Sequence, residues 1–355
     1  MTEKPKAQVL MGGVGSPYTR KMLAAMRFRN IPYRFERQSR LFDDGGSNPH
    51  YPRRAQPKVP LLPTFYFEDE AGEEVAVTDS TPIIRRLEKE HQGRSIIPSD
   101  PVLACVDLLL EDFGDEWLTK AMFHYRWHYD ADIQKAGDIL PLHGAVSTAD
   151  AQHQAMAKFV RERQISRLPY VGSNEMTWPT IEASFERVVA LLDRHLTRLP
   201  FLMGERPGSC DFAFYGQLTC LALFDPTPQA HVLAHHPRVY AWVESLEDLS
   251  GYRVSEGDWL DADNLPATLV DLLGEVGRIY LPYLAGNARV VAEGADRVRM
   301  TLDGRPWEQD PFPYHVKCLR WLREATARLV DRDRARLAAV LAGTGCEVLV
   351  SDGGR

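Results

Sequence analysis

The hydrophobic pattern near the start of the chain predicts a strand, a turn, a helix and a second strand. Within residues 9–37, a short apolar run is followed by a glycine-rich turn. Apolar residues then recur at helical spacing, with Met22, Leu23 and Met26 among them. Asn30 marks the end of this helix, and residues 31–35 resume an extended pattern.

The turn before this helix is the first candidate site. Gly12, Gly13 and Gly15 let the backbone bend and approach a ligand, while Ser16 takes the N-cap position and Pro17 the first helical position. A hydroxyl group beside free backbone N–H groups at a helix start suits an anion. Most serines at such positions only cap a helix, so the stretches that follow decide between the two interpretations.

A β-hairpin is predicted after this unit. Residues 58–63 (KVPLLP) lead into the apolar run 64–67, and an acidic turn separates that run from a second one at 75–77. The X-Pro bond at Pro60 is a candidate for the cis form, since proline is tolerated at the start of a strand.

A second helix start follows the hairpin at residues 78–82 (TDSTP). Ser80 or Thr81 is the predicted cap, and Pro82 lies near the first turn. Asp79 places a carboxylate beside the same free N–H groups. An acid and a hydroxyl group in this arrangement can hold both charged ends of an amino-acid moiety.

The middle of the chain is predicted to be helical. After a polar linker at 91–101, a broad apolar face begins near Pro101, and further helical patterns cover 148–167, 179–197, 210–224 and 237–246. Gly208 and Asp211 form a capping-box pattern with glycine at the cap, and we expect Asp211 to be structural. His124 and His128 share a helix face, but a metal site is not expected because a third ligand is not evident.

The last hundred or so residues continue the regular pattern. They predict a helix at 269–284, a hairpin at 297–310 with an Asp-Gly turn, helices at 314–329 and 331–342, and a final strand or extended tail. A run of arginines accompanies the last two helices, and interleaved aspartates indicate a solvated face: Arg323, Arg328, Arg332, Arg334 and Arg336.

Composition limits the classes of function. The chain has 355 residues, 44% apolar and 26% charged, enough for a sizeable core. Its 49 acidic and 42 basic residues give a net charge of -7, which argues against a nucleic-acid partner. The 5 cysteines form no CxxC pair, and the chain shows neither a signal peptide nor an apolar run of membrane-spanning length. We therefore expect a cytoplasmic protein without membrane contact.

Taken together, SPYTRK, KVPLL and TDSTPIIRRLEKEH resemble the glutathione-binding domain of the cytosolic glutathione S-transferase superfamily, and GERPGSCDF and HPRVYAW resemble its helical domain. The resemblance covers about residues 8–247. It implies an α/β thioredoxin-like glutathione-binding domain at 1–90 and an all-α substrate-binding domain at 98–250. The C-terminal extension at 251–355, predicted to be α+β, lies outside the family pattern and its role is open.

The resemblance implies a role for each matching residue. Ser16 would hydrogen-bond the thiolate of glutathione, the co-substrate. The backbone of Val59, beside Pro60, would pair with the cysteinyl part of the tripeptide. Asp79 and Ser80 would hold its γ-glutamyl end.

The glycine carboxylate of glutathione is assigned to Lys58, with Arg53 and Arg54 as alternatives. In the superfamily, the helix after the linker flanks the active site and helps to form a homodimer. Its polar residues, with a tyrosine of the first turn, are candidates for a second-substrate pocket: Tyr18, Asp112, Glu116 and His124.

The leading hypothesis is a glutathione transferase in which Ser16 stabilises the thiolate for attack on a small, apolar electrophile. Isomerisation, dehalogenation and ether cleavage by the same thiolate stay open, whereas a cysteine-based thiol reductase is disfavoured because no cysteine precedes Cys105. The alternatives are a non-catalytic glutathione- or ligand-binding protein and a scaffold that has lost glutathione.

Overall fold

A computed structural model describes residues 7–37, 51–144 and 146–351. Its strands are β1 (Gln8–Gly12), β2 (Tyr33–Arg37), β3 (Thr64–Glu68), β4 (Glu74–Val77), β5 (Val298–Leu302) and β6 (Arg305–Gln309). Its helices are α1 (Pro17–Phe28), α2 (Ser80–Glu90), α3 (Pro101–Glu116), α4 (Leu118–His128), α5 (Asp130–Leu142), α6 (Asp150–Ile165), α7 (Trp178–His195), α8 (Ser209–Leu218), α9 (Pro226–His235), α10 (Pro237–Ser245), α11 (Ala267–Glu275), α12 (Leu281–Glu293), α13 (Pro313–Ala327) and α14 (Asp331–Leu341).

The first unit is a thioredoxin-like α/β domain, as predicted. Its sheet has the order β2-β1-β3-β4, with β1 parallel to β2 and antiparallel to β3. Leu10 of β1 is opposite Phe35 of β2 and Phe65 of β3, and Leu10 and Phe65 are fully buried. The burial of Leu10 and Phe65 at paired positions therefore favours this register of the sheet.

The second unit is all-helical and contains α3 to α10. The five helical patterns predicted between 101 and 246 are confirmed, the first as two helices, α3 and α4. Sequence periodicity missed α5 and α9 because these helices bury few apolar side chains and carry prolines, Pro141 in α5 and Pro228 in α9. These two segments between the predicted helices are therefore helical too, although each has only a weak apolar face.

The capping box at the start of α8 is present. The backbone N–H of Gly208 donates to Asp211 Oδ2 at 2.8 Å, and that of Leu202 donates to Asp211 Oδ1 at 2.7 Å. A Cβ atom at Gly208 would lie 2.4 Å from Asp107 Oδ1. Glycine holds the cap position because a larger residue does not fit there.

The C-terminal extension packs on the helical domain and shares its hydrophobic cluster. Trp117, at the α3–α4 junction, has ring centroids 6.3 Å from Tyr280, 5.8 Å from Tyr283 and 5.6 Å from Trp307. The predicted helices and the β5–β6 hairpin are confirmed. The predicted final strand is wrong: residues 346–349 form a 3₁₀ turn, which buries Cys346 against Leu273.

The predicted solvated arginine face is correct only in part. Arg336 is half-buried and forms ion pairs with Asp100 at 2.9 Å, Asp263 at 2.7 Å and Asp333 at 3.0 Å. Asp100 is the N-cap of α3, so its ion pair with Arg336 connects α14 to the helical domain. None of the described helices combines the length and the apolar character that a membrane crossing needs.

Candidate active site

Ser16 occupies the N-cap of α1, as predicted. Its backbone is extended, its Oγ accepts a hydrogen bond from the Thr19 N–H at 3.3 Å, and its own N–H donates to the Gly13 carbonyl at 2.9 Å. These contacts place the hydroxyl group at the positive end of the α1 dipole.

A first cavity of about 380 Å³ opens beside Ser16. Its floor is the glycine-rich turn, and its walls come from residues 60–62 and from helices α4, α5 and α6. The walls combine apolar and basic side chains: Met122, Phe123, Trp127, Leu140, Arg126, Arg163 and Arg167. The volume lies within the range of small-molecule sites.

Arg126 fixes the turn on which Ser16 lies. Its Nη1 donates to the Gly15 carbonyl at 3.2 Å, and its Nε donates to the two carboxylate oxygens of Asp225 at 2.9 and 3.1 Å. A Cβ atom at Gly15 would lie 2.3 Å from Leu140 Cδ2, so this methyl group on the cavity wall would have to shift to admit a side chain. Sequence reasoning missed Arg126; its only signal was a basic residue within the aromatic run FHYRWHY.

The segment before β3 corrects one prediction. The cis peptide bond is Leu62–Pro63, directly before β3, and the bond at Pro60 is not cis. Val59 is 54% exposed, and its carbonyl accepts a hydrogen bond from the Leu61 N–H at 2.9 Å. Pro60 and Leu62 line the first cavity with Ser16, whereas Lys58 and Val59 are exposed and do not line it.

Arg54, one of the alternatives for the glycine carboxylate, does not line the first cavity. Arg54 forms ion pairs with Glu36 at 2.5 Å and Glu74 at 2.6 Å, and it lines a different depression along β1 and β3. Its guanidinium group is therefore already neutralised. Arg53 is exposed, and much of the loop before it (38–50) lies outside the described residues.

Asp79 and Ser80 lie together at the start of α2, but they face different partners. Asp79 has a φ of 89°, and its Oδ2 accepts hydrogen bonds from Tyr314 OH at 3.0 Å and Lys317 Nζ at 3.1 Å. Both donors belong to α13 of the extension. No local pattern predicts these contacts, because the Asp79–Tyr314 pair is 235 residues apart in sequence.

Ser80 is buried and belongs to a charged network centred on Lys21. Lys21 Nζ donates to Ser80 Oγ at 3.2 Å, Glu111 Oε1 at 2.8 Å and Asp115 Oδ2 at 2.5 Å. Burial opposes the charge on Lys21, but Asp115 and Glu111 outweigh burial and raise its pKa above the ordinary value. The network ties α1 and α2 to α3.

A second cavity of about 310 Å³ adjoins the first. The two share Tyr18, Thr119, Phe123 and Arg167 as lining residues. The second is additionally lined by Glu116, Lys120, Tyr170, Val171 and two residues of the extension, Phe312 and His315. The extension therefore forms one wall of the space beside the candidate active site.

Of the four residues predicted for a second-substrate pocket, Tyr18 and Glu116 line this space. The Tyr18 hydroxyl donates to the Asp115 carbonyl at 2.8 Å, and burial, then Glu116, raises its pKa well above the ordinary value. Glu116 Oε2 lies 3.0 Å from His315 Nε2. Burial, then Asp79, raises the pKa of Glu116 to about 7.

The other two pocket candidates lie outside both cavities. Asp112 accepts a hydrogen bond from Tyr280 OH at 2.6 Å, and burial raises its pKa to about 8. His124 is fully buried, with its ring nitrogens 2.9 Å from Ser173 Oγ and 3.0 Å from Glu182 Oε1. Both side chains are therefore engaged in hydrogen bonds inside the protein. Within 7–37, 51–144 and 146–351, no group of three or more potential metal ligands was found.

Two family models match the chain. The model of the glutathione S-transferase N-terminal domain matches residues 10–95, and that of the glutathione S-transferase C-terminal domain matches residues 147–249. The chain belongs to the glutathione S-transferase superfamily. Neither model reaches the C-terminal extension.

Solved structures similar to this chain include other glutathione transferases. One from Methylobacterium radiotolerans, in complex with glutathione sulfonate, is 18% identical over 72% of this chain and 94% of that chain, with a TM-score of 0.41. One from Pseudomonas putida, with glutathione disulfide bound, is 14% identical over 69% and 87%, with a TM-score of 0.40. The β-etherase from Sphingobium sp. strain SYK-6 is 17% identical over 68% and 95%, with a TM-score of 0.45. No curated protein matched the sequence.

Proposed function

We propose that the protein is a glutathione-dependent transferase in which the Ser16 hydroxyl donates a hydrogen bond to the glutathione thiolate. The observation that carries this proposal is the position of Ser16, at the N-terminus of α1 and on the wall of a cavity of about 380 Å³. A free thiol has a pKa of about 8.5, so a hydroxyl donor and a helix N-terminus increase the reactive thiolate fraction at neutral pH.

The proposal assigns the rest of glutathione to neighbouring residues. Leu62, which lines the cavity with Ser16, replaces Val59 as the residue whose backbone faces the cysteinyl part. Asp79 takes the α-ammonium group of the γ-glutamyl end, since it already holds an ammonium group, that of Lys317, at 3.1 Å. The Ser80 hydroxyl is engaged by Lys21, so its backbone N–H at the start of α2 is the group left for the γ-glutamyl carboxylate.

The electrophile is a small molecule, and it is not purely apolar. Arg163 and Arg167 line the first cavity together with the apolar side chains, and burial, then Arg167, lowers the pKa of Arg163. This basic wall suits a substrate that carries an acidic or electron-rich group at one end. The sequence predicts an apolar electrophile, and only the part of the cavity wall formed by Met122, Phe123 and Trp127 suits such a substrate.

A second candidate function is that of a glutathione- or ligand-binding protein without turnover. The contacts of Tyr314 and Lys317 with Asp79 favour it, because they fill part of the position assigned to the γ-glutamyl end. Three further points stay predictions: the homodimer, the cytoplasmic location and the domain boundaries 1–90, 98–250 and 251–355. Light scattering tests the homodimer.

Calorimetric titration with reduced glutathione tests the binding part of the proposal. We expect saturable binding by the unaltered protein and binding at least about tenfold weaker in Asp79→Asn, since an ion pair with a partly buried carboxylate is worth more than about 1 kcal/mol. Asp150→Asn, at the exposed start of α6, is the matched control and should bind normally. Absence of binding by the unaltered protein would contradict the proposal.

A further inference from the structure

A chain of hydrogen bonds that activation of a thiol does not require ends at two residues on the wall of the second cavity, His315 and Glu116. Gln309 Nε2 donates to Tyr283 OH at 3.0 Å, Tyr283 OH lies 2.7 Å from His315 Nδ1, and His315 Nε2 lies 3.0 Å from Glu116 Oε2. Gln309, Tyr283 and His315 all belong to the C-terminal extension, whereas Glu116 belongs to α3. Three residues of the extension are therefore connected by hydrogen bonds to a carboxyl group of the helical domain.

The direction of these hydrogen bonds follows from one anchoring contact. Lys120 Nζ donates to Gln309 Oε1 at 3.1 Å, so the amide nitrogen of Gln309 points to Tyr283. Tyr283 then donates to His315 Nδ1, which leaves the proton of the neutral imidazole on Nε2, where it is donated to Glu116 Oε2. One carboxyl oxygen is thereby fixed, and the other, Oε1, is the oxygen that can carry a proton in the cavity.

We propose that Glu116 is a general acid for the second substrate, and that the substrates are electrophiles, such as epoxides, whose reaction with a thiolate leaves a basic oxygen anion. The proposal rests on the proposed function, because the thiolate at Ser16 is the nucleophile. The two cavities share Tyr18 and Thr119, so a substrate lying across them places its carbon near the thiolate and its oxygen toward Glu116.

The step balances without any further reactant. The thiolate sulfur attacks an oxirane carbon, a C–S bond forms, the C–O bond breaks, and its electron pair stays on the oxygen. The Glu116 carboxyl proton moves to that oxygen and gives a hydroxyl group, and the carboxylate regains a proton from water. A substrate that releases chloride differs, since the C–Cl electron pair leaves with the halide and no proton is needed.

The neighbouring polar groups are poorer proton donors. The Tyr18 hydroxyl already donates to the Asp115 carbonyl. Burial lowers the pKa of Lys120 to about 7, but its ammonium group already donates to the Val171 carbonyl at 2.9 Å, to Gln309 Oε1 at 3.1 Å and to Tyr283 OH at 3.4 Å. His315 acts through Glu116 and is a positioning residue. Glu116 has a side chain only 13% exposed, so its proton is held away from bulk water.

The charge state of Glu116 gives the proposal a pH signature. Burial and then Asp79 raise the pKa of Glu116 to about 7, against the opposing effects of Lys120 and Lys21. Titratable groups interact with Glu116 from its own helix and from the surrounding elements: Asp112 and Asp115 of α3, Tyr18 and Lys21 of α1, Asp79 before α2, Lys120 of α4, Tyr280 before α12, Tyr283 of α12, and Tyr314, His315 and Cys318 of α13. A raised pKa keeps the carboxyl group protonated up to about neutral pH, where an acid is useful.

The first test compares two probes, styrene oxide and chlorodinitrobenzene, each with glutathione. Glu116→Gln should lower turnover of the epoxide about 100-fold, which is the usual contribution of a general acid. Chloride displacement needs no proton and should fall much less in the same variant, so the ratio of the epoxide rate to the chloride rate should drop about 100-fold in Glu116→Gln and stay level in the control Glu182→Gln. Glu182 is a suitable control because its Oε1 lies 3.0 Å from a buried histidine, His124, outside both cavities.

The second test follows both probe reactions across the pH range. Both probe reactions share the thiolate, so the ratio of the epoxide rate to the chloride rate isolates the acid. That ratio should fall as the pH rises through about 7 in the unaltered protein, where Glu116 loses its proton, and stay level in Glu116→Gln. The variant separates Glu116 from Lys120, because burial lowers the pKa of Lys120 to about 7 as well. His315→Leu should move the fall to higher pH, because it removes a hydrogen bond to the carboxylate, and His315→Asn should partly restore it.

Every outcome decides between the hypotheses. A constant ratio across the pH range, equal losses for both probes in Glu116→Gln, or turnover of chlorodinitrobenzene without any turnover of the epoxide would overturn the role of Glu116 and leave the proposed function intact. Glutathione binding without turnover of either probe would contradict the proposed function and, with it, this inference.

Discussion

At the scale of single residues, Lys21 is the charge on which the junction of α1, α2 and α3 depends. Its side chain is fully buried and contacts Glu111, Asp115 and Ser80. A buried ion pair contributes little net stability compared with apolar residues, but removing one partner leaves an uncompensated charge behind. The helical pattern of α1 gave no sign of this role, since lysine is usually exposed on a helix.

Lys21→Met should therefore destabilise the protein strongly. We expect a loss of about 3–5 kcal/mol in the free energy of unfolding, because Asp115 would be left buried without its cation and Glu111 would keep only one cation, Arg85, at 3.2 Å. Lys158→Met is the matched control: Lys158 is 75% exposed and forms only a surface pair at 3.7 Å with Glu162. Urea unfolding of both variants measures the difference, and equal stabilities would contradict the role given to Lys21.

At the scale of elements, the close approach of α8 to α1 positions the candidate active site. A Cβ atom at Gly216 of α8 would lie 2.7 Å from the carbonyl oxygen of Pro17, the first residue of α1. That oxygen belongs to the backbone and cannot turn aside as a side chain can. The residue after Ser16 is therefore held directly against the buried helix of the second domain.

Gly216→Ala should lower stability by about 1–3 kcal/mol, as overpacking of a close contact usually does. It should also weaken glutathione binding, because relief of the clash moves the start of α1 away from α8. Gly274→Ala in α11 is the control, since nothing lies within 4 Å of a Cβ at that position. Unfolding and calorimetry on both variants check this; a Gly216→Ala protein as stable as the control would contradict it.

Prediction of the elements from sequence worked where a local pattern carries the information. The N-cap at Ser16, the hairpin of β3 and β4, and the capping box of Asp211 all depend on residues a few positions apart. The cis bond was assigned to Pro60 instead of Pro63 because KVPLLP offers two prolines and no periodicity distinguishes them. The start of β3 at Thr64 distinguishes the two prolines, because the cis bond directly precedes this strand. A strand boundary predicted from sequence is uncertain by a few residues, which is as large as the distance between the two prolines.

At the scale of the whole molecule, the extension is an integral part of the fold. It contributes Trp307 to the cluster around Trp117, fastens α14 to α3 through Arg336, and reaches Asp79 and Glu116 from α13. These contacts join residues that are about two hundred positions apart in sequence. They could not be predicted, because periodicity identifies the buried face of a helix but not its partner.

The most direct test of the account is the pKa of the thiol group of glutathione when it is bound to the protein, measured by the ultraviolet absorbance of the thiolate as the pH is raised. Ser16→Gly removes the hydroxyl group while preserving most of the helix cap, and Ser16→Thr retains both. We predict a pKa clearly below the free value of about 8.5 for the unaltered protein and for Ser16→Thr, and a return toward that value in Ser16→Gly. The same lowered pKa in all three proteins would contradict the role of Ser16.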